Sequence, residues 1–149
     1  MIYEKSCGAV VFRDGQLVDG KTQRYVLMIK HTLKSRHSFP KGHVEAGENE
    51  VMTAEREVFE ETAVRIRITE KFRHPVYYRP RPGVKKEVVY FVALTRQTEV
   101  KQREGEIARV EWIPVEKALS LLAHANDKRV LAHAIKHMER KGATSLSAE

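Results

Sequence analysis

The sequence predicts a single α/β domain, and three observations carry that reading. The chain has 149 residues, 42% of them hydrophobic and 32% charged, which suits one packed core and not a disordered segment. Short apolar runs such as "SCGAVVF", "RYVLMIKH" and "EVVYFVALT" are bounded by Gly, Pro and Asp, as strands are. Between and after them lie segments whose apolar residues recur at helical spacing. No internal repeat, low-complexity tract or linker divides residues 1–149, so one domain is expected throughout.

Taken in order, Ser6 to Phe12 reads as a strand followed by a turn at Asp14-Gly15. Arg24 to His31 reads as a second strand, able to pair with the first as a hairpin. Arg36 to Glu48 is a loop, punctuated by Pro40, Gly42 and Gly47. Asn49 can cap a helix from about Glu50 to Thr62, in which Val51, Ala54 and Val58 form the core-facing stripe. "VRIRI" alternates, with Val64, Ile66 and Ile68 on one side, and reads as a half-buried strand. The proline-rich "HPVYYRPRPGVKK" reads as a strand end and a loop. "EVVYFVALT" is apolar on both faces and belongs in the middle of a sheet. "RVEWIP" is a short strand closed by Pro114, and "VEKALSLLAHA" and "DKRVLAHAIKHMER" are helices. The stripe of the second is Val130, Leu131, Ala134, Ile135 and Met138, and residues 142–149 read as a frayed tail.

Net charge is +7, which favours polyanionic partners but is equally consistent with plain solubility. With a single cysteine, Cys7, neither an internal disulfide nor a cysteine-built zinc site can form, and a reducing, cytoplasmic setting is the expectation. No signal peptide or membrane-spanning run is apparent.

Against this basic background, acids gather between Glu45 and Glu61. Glu57, Glu60 and Glu61 stand three and four residues apart on one helical stripe near the helix C-terminus. Such like-charge neighbours cost a few tenths of a kcal/mol each, and more at the negative end of the helix dipole. A solvated acidic face is one account. The other is a hard divalent cation, Mg²⁺ or Mn²⁺, which prefers carboxylate oxygens and takes phosphates as further ligands. The preceding loop offers Lys41, His43 and the close-approach glycine Gly42 as a phosphate cradle.

The spacing Gly42, Glu48, then "REVFEE" from Arg56 to Glu61, then Val64, resembles the box of the Nudix hydrolases, with Ala63 where the family has glycine. An alanine in the left-handed backbone that glycine allows there costs about 1 kcal/mol. The resemblance implies an α/β/α sandwich with a mixed sheet, and Glu57, Glu60, Glu61 and the Gly42 carbonyl as metal ligands. It implies a structural Arg56 paired with Glu48, and attack of water on a phosphorus of a nucleotide pyrophosphate. The general base is Glu60 or Glu61 in the box, or a later glutamate, Glu104 or Glu106, with Glu106 preferred because it precedes Trp112 by six residues.

"FPKGHVE" resembles the diadenosine polyphosphate and diphosphoinositol phosphate branches, and "KKEVVYFVAL" with Glu106 and Trp112 resembles the asymmetrical diadenosine tetraphosphate hydrolases. That likeness implies Lys41, His43 and Lys86 on phosphate and Tyr90 stacked on a base. A core role for Tyr90 and a base contact at the exposed Tyr77 or Tyr78 remain open, and Arg79 and Arg81 add positive charge nearby. The expected reaction gives ATP and AMP. Oxidised nucleoside triphosphates, ADP-ribose, diphosphoinositol phosphates and RNA 5′ ends are alternative substrates, and a non-catalytic nucleotide-binding module is the alternative class. Monomer and homodimer are both open.

Overall fold

The computed structural model describes residues 1–147, with side chains through Lys141. Its elements are β1 (Ile2–Gln16), β2 (Thr22–His31), β3 (Lys41–His43), α1 (Glu50–Thr62), β4 (Arg73–Arg81), β5 (Val84–Leu94), β6 (Ile107–Pro114), α2 (Val115–Leu121) and α3 (Ala125–Ser147). The strands form one sheet in the order β4-β5-β1-β2-β6, with β3 also on β1. β1 and β5 run parallel and every other pair antiparallel, so the sheet is mixed. β5 lies inside the sheet, between β4 and β1, as its two apolar faces require.

Side chains alternate across this sheet and so feed two cores. Val10 and Phe12 of β1 join Val26, Met28, Val92, Val130, Leu131 and Ala134 beneath α2 and α3. Cys7, Ala9 and Val11 point the other way, toward Ala54 and Val58 of α1. Helices on both faces make the α/β/α sandwich. Cys7 is fully buried beneath α1, and burial pushes its thiol up to about 11.

β1 is shared lengthwise. Its first half pairs with β3 (Ser6↔His43, Cys7↔Gly42, Gly8↔Lys41) and its second half with β2 (Phe12↔Val26 to Gln16↔Thr22). The handover needs Gly8: a Cβ there would lie 2.3 Å from the Pro40 carbonyl oxygen. That close approach lets residues 40 and 41 cross onto the sheet edge and sets where the site begins.

Several segments depart from the sequence reading. β1 runs through Asp14-Gly15, where Asp14 pairs with Arg24, and the hairpin turns instead at 17–21, closed by Leu17 N–H donating to the Lys21 carbonyl at 2.8 Å. "VRIRI" is extended but joins no strand. Its backbone donors go to side chains, Arg65 N–H to Gln97 and Ile68 N–H to Glu55, while Val64, Ile66 and Ile68 still pack on the α1 core. The proline-rich stretch is the edge strand β4, a position where Pro75 and Pro80 cost no ladder bond toward a second neighbour. The backbone of α3 continues to Ser147, and the remainder of the expected tail, 148–149, lies outside the described residues.

Candidate active site

α1 is placed by its ends. The Asn49 side chain accepts from Met52 N–H at 2.8 Å, and Ala63 closes the helix in the left-handed region at φ 63, ψ 12. The chain therefore keeps the turn that glycine would favour and builds it with alanine. Within the last turn and a half, Glu57, Glu60 and Glu61 emerge beside β3.

Their surroundings differ. Glu61 is 2% exposed; its Oε1 accepts the Lys41 backbone N–H at 3.0 Å, and its Oε2 is buried without a partner. Burial first, with Glu57 and Glu106 adding negative charge, pushes Glu61 up to about 8. Glu57 is also raised, again chiefly by burial. It stands against Gly42, where an added Cβ would fall 2.1–2.4 Å from its carboxylate atoms. Gly42 is thus required by the glutamate's place, and its backbone lies open to whatever the carboxylate holds.

Arg56 is the hub of the box. It donates to Glu48 through Nε at 2.6 Å and Nη2 at 3.0 Å, to Glu57 at 2.7 Å, to Glu60 at 3.1 Å and to the His43 carbonyl at 2.9 Å. Glu48, also bonded by Thr53 Oγ1 and Glu45 N–H, is held down to about 2, first by Arg56. The expected Arg56–Glu48 pair is present, and it ties the loop of residues 44–48 to the helix.

Glu106 arrives from the connection before β6. The Arg103 carbonyl accepts from Glu106 and Ile107 N–H, and Thr32 N–H donates to the Glu106 carbonyl at 3.1 Å. This fixes Glu106 close enough to Glu61 to raise it. Arg103 spans the gap, 3.3 Å from Glu60 and 3.2 Å from Glu106. Glu104, the other glutamate of that connection, carries no contact to the cluster among the described residues.

Among the described residues, no three histidine, cysteine or carboxylate side chains already converge as a metal cage, and Glu60 is paired with Arg56 and Arg103. The site nevertheless fits a hard divalent cation. It offers an orphaned, buried carboxylate oxygen, a second carboxylate raised by burial, and a glycine backbone open beside it.

Across β3 lies a cavity of about 410 Å³ between the sheet and the start of α3. Its wall is basic: His31, Lys34, Arg36, His37, Lys41 and His124, with Tyr78 and Tyr90 beside them and Asp127 and Asn126 at the α3 end. Burial and the neighbouring Lys86 push Lys41 down to about 8. Tyr90 is 2% exposed and packs edge-on against Phe39 at 5.7 Å, so its ring is core and no base can stack on it. Tyr78, 37% exposed, is the accessible aromatic of that wall. Tyr77 lies off the cavity, bonded to Glu87. Lys86 is half-buried near Lys41 but outside the cavity wall, and His43 is exposed beyond it. Sequence reasoning missed Arg103, Asp127 and His124. Each reaches the site from a distant segment, and nothing local in the sequence marks it.

The family model for the NUDIX domain matches residues 5–134. The asymmetrical bis(5'-nucleosyl)-tetraphosphatase of Mus musculus is 31% identical over 135 residues, covering 85% of this chain and 90% of the mouse protein. A putative mutator protein MutT4 of Mycobacterium tuberculosis is 32% identical over 135 residues, covering 87% of this chain and 53% of that protein, so the chain spans about half its length. The crystal structure of a C. elegans Ap4A hydrolase binary complex is similar at a TM-score of 0.72 and 26% identity, over 98% of this chain and 99% of that one. The sandwich, the box and the family match agree: the chain belongs to the NUDIX domain family and has the fold of its hydrolases.

Proposed function

We propose that this Nudix hydrolase cleaves diadenosine tetraphosphate to ATP and AMP with a divalent cation, Mg²⁺ or Mn²⁺. One observation carries the reading: an acidic cluster and a basic cavity adjoin across the three residues of β3, a layout suited to a long polyphosphate with a nucleoside at its end. The 31% identical mouse protein is named an asymmetrical bis(5'-nucleosyl)-tetraphosphatase and the C. elegans protein an Ap4A hydrolase, which supports the substrate class.

The Gly42 carbonyl, Glu57, Glu60 and Glu61 would hold the cation, which supplies charge neutralisation and an acidic water. The chain's own residues do the rest. Lys41, with His43 and Lys86 further along, balances phosphate charge. Tyr78 offers a face to the base, a contact worth about 1–3 kcal/mol. Glu60 and Glu106 lie at the open side of the cluster, where one of them takes the proton of the attacking water. Arg56 fixes the loop so that Gly42 and Glu57 stay in register.

The MutT4 likeness supports a second reading, hydrolysis of oxidised nucleoside triphosphates. ADP-ribose, diphosphoinositol phosphates and RNA 5′ ends complete the set to assay. The test is product analysis with Mg²⁺, with and without chelator. ATP plus AMP, abolished by chelator, supports the proposal. Turnover only of oxidised triphosphates moves the substrate and keeps the chemistry. In the active assay, Glu60→Gln should fold and lose activity by orders of magnitude. Unchanged turnover there rejects the role of Glu60.

A further inference from the structure

Glu60 sits between two guanidinium groups, Arg56 at 3.1 Å and Arg103 at 3.3 Å. Both contact the same carboxylate oxygen, Oε2, so a cation that takes that oxygen must displace one of them. The two are not equally held. Arg56 is mostly buried, its side chain 21% exposed, and is fastened to Glu48, Glu57 and the His43 carbonyl as well. Arg103 is 45% exposed and, among the described residues, pairs with Glu60 and Glu106. Exposed pairs of this kind are weak and easily exchanged. Those two partners are the glutamates of the open side of the cluster. The turn that carries Arg103 is fixed by its own backbone, with Gly105 at φ +80 and the Arg103 carbonyl accepting from Ile107 N–H at 2.9 Å. Arg103 can therefore swing away without unravelling the connection that presents Glu106.

We propose that Arg103 is a positioning residue that bridges Glu60 and Glu106 in the metal-free protein and yields that place to the divalent cation. The bridge holds two like charges together while no cation is present, and its release couples cation entry to the freeing of both carboxylates. The proposal rests on the reading of Glu57, Glu60 and Glu61 as the cation site.

The experiment is titration of chelator-stripped full-length protein with Mn²⁺ alone, following free Mn²⁺ by electron paramagnetic resonance. No nucleotide and no turnover are involved. Arg103→Ala should bind Mn²⁺ about five-fold more tightly, the scale of losing two exposed ion pairs. Arg103→Lys, which can still bridge, should stay near wild type. Lys101→Ala removes the same charge from the same connection but pairs with neither glutamate, and should change the affinity by less than about two-fold. An unchanged or weaker affinity in Arg103→Ala overturns the proposal. So does an equal gain in Lys101→Ala, which would reduce the effect to bulk charge. If Glu61→Gln binds Mn²⁺ as wild type does, the cation-site reading itself fails and takes the bridge with it, a result distinct from failure of the bridge alone.

Discussion

The two sides of β3 are built from opposite charges. On the α1 side, Gly42 faces Glu57, and Glu60 and Glu61 complete an acidic cluster. On the α3 side, Lys41 enters a cavity walled by His31, Lys34, Arg36, His37 and His124. A three-residue strand separates them, because successive side chains of a strand point to opposite faces. The Lys41 backbone joins the two sides, since its N–H donates to Glu61 while its side chain serves the cavity. An acidic and a basic surface thus adjoin here without separate subdomains. The pleat alone sorts them a few ångströms apart.

The acidic side is most vulnerable at Gly42. Gly42→Ala places a methyl on the Glu57 carboxylate, the flexible end of a side chain. The fold should survive, with little change in thermal midpoint, while Mn²⁺ binding and turnover fall by orders of magnitude. A fully active alanine variant would remove Glu57 from the site. On the basic side, Lys41→Met should leave Mn²⁺ affinity close to wild type and raise KM for a tetraphosphate about ten-fold or more, as expected for losing a charge-assisted contact. Steady-state kinetics beside the Mn²⁺ titration separate the two sides. Equal damage to both would mean that the strand does not insulate them.

Smaller effects test the supports. Arg56→Ala strips Glu48, Glu57 and Glu60 of a common partner and should destabilise the protein by about 2–3 kcal/mol in urea melts. Far along α3, the Nδ1 atoms of His74 and His133 lie 3.2 Å apart, which requires one proton between them and forbids two. Burial first, then His133 and Arg129, hold His74 below the ordinary histidine value of 6.5. A histidine lowered in the folded state binds fewer protons there than when unfolded. Its stabilisation is therefore present above about 6.5 and lost as pH falls through and below that value. The thermal midpoint should drop between pH 7 and 5, and His133→Gln should flatten the drop. A pH-independent midpoint in the wild type would refute the shared proton.

The extent of α1 was legible because its signals are local, Asn49 as cap and the stripe of Ala54 and Val58, whereas the left-handed close at Ala63 was suggested only by the family's glycine at that place. The glutamate cluster followed from the same periodicity. The Arg56–Glu48 pair came with the family likeness of the box, and the structure places it there. "VRIRI" shows the limit. Its alternation correctly sorted Ile66 and Ile68 toward the core, but alternation says nothing about who accepts the backbone donors, and Gln97 and Glu55 do. β4 was hidden by its prolines, which an edge strand tolerates and a central one does not. Tyr90 reads from sequence either as a stacking platform or as core; strand register turns it onto Phe39, and Tyr78 is the exposed aromatic of the cavity wall. The cavity itself was invisible in the sequence, because its wall is assembled from β2, the loop at 34–38, β3, β4, β5 and the start of α3.

Cys7 lies beneath α1 with no exposed surface, and its thiol is pushed up to about 11. Near neutral pH it is neither reachable nor a thiolate, so alkylating reagents should pass it by in the folded protein. A cysteine introduced on the surface, at Lys101 or on the hairpin turn at Val18, would then be the one reactive thiol among the described residues. Fluorophores and spin labels could be attached at a chosen place in an otherwise native chain, without first removing the cysteine that nature placed in the core.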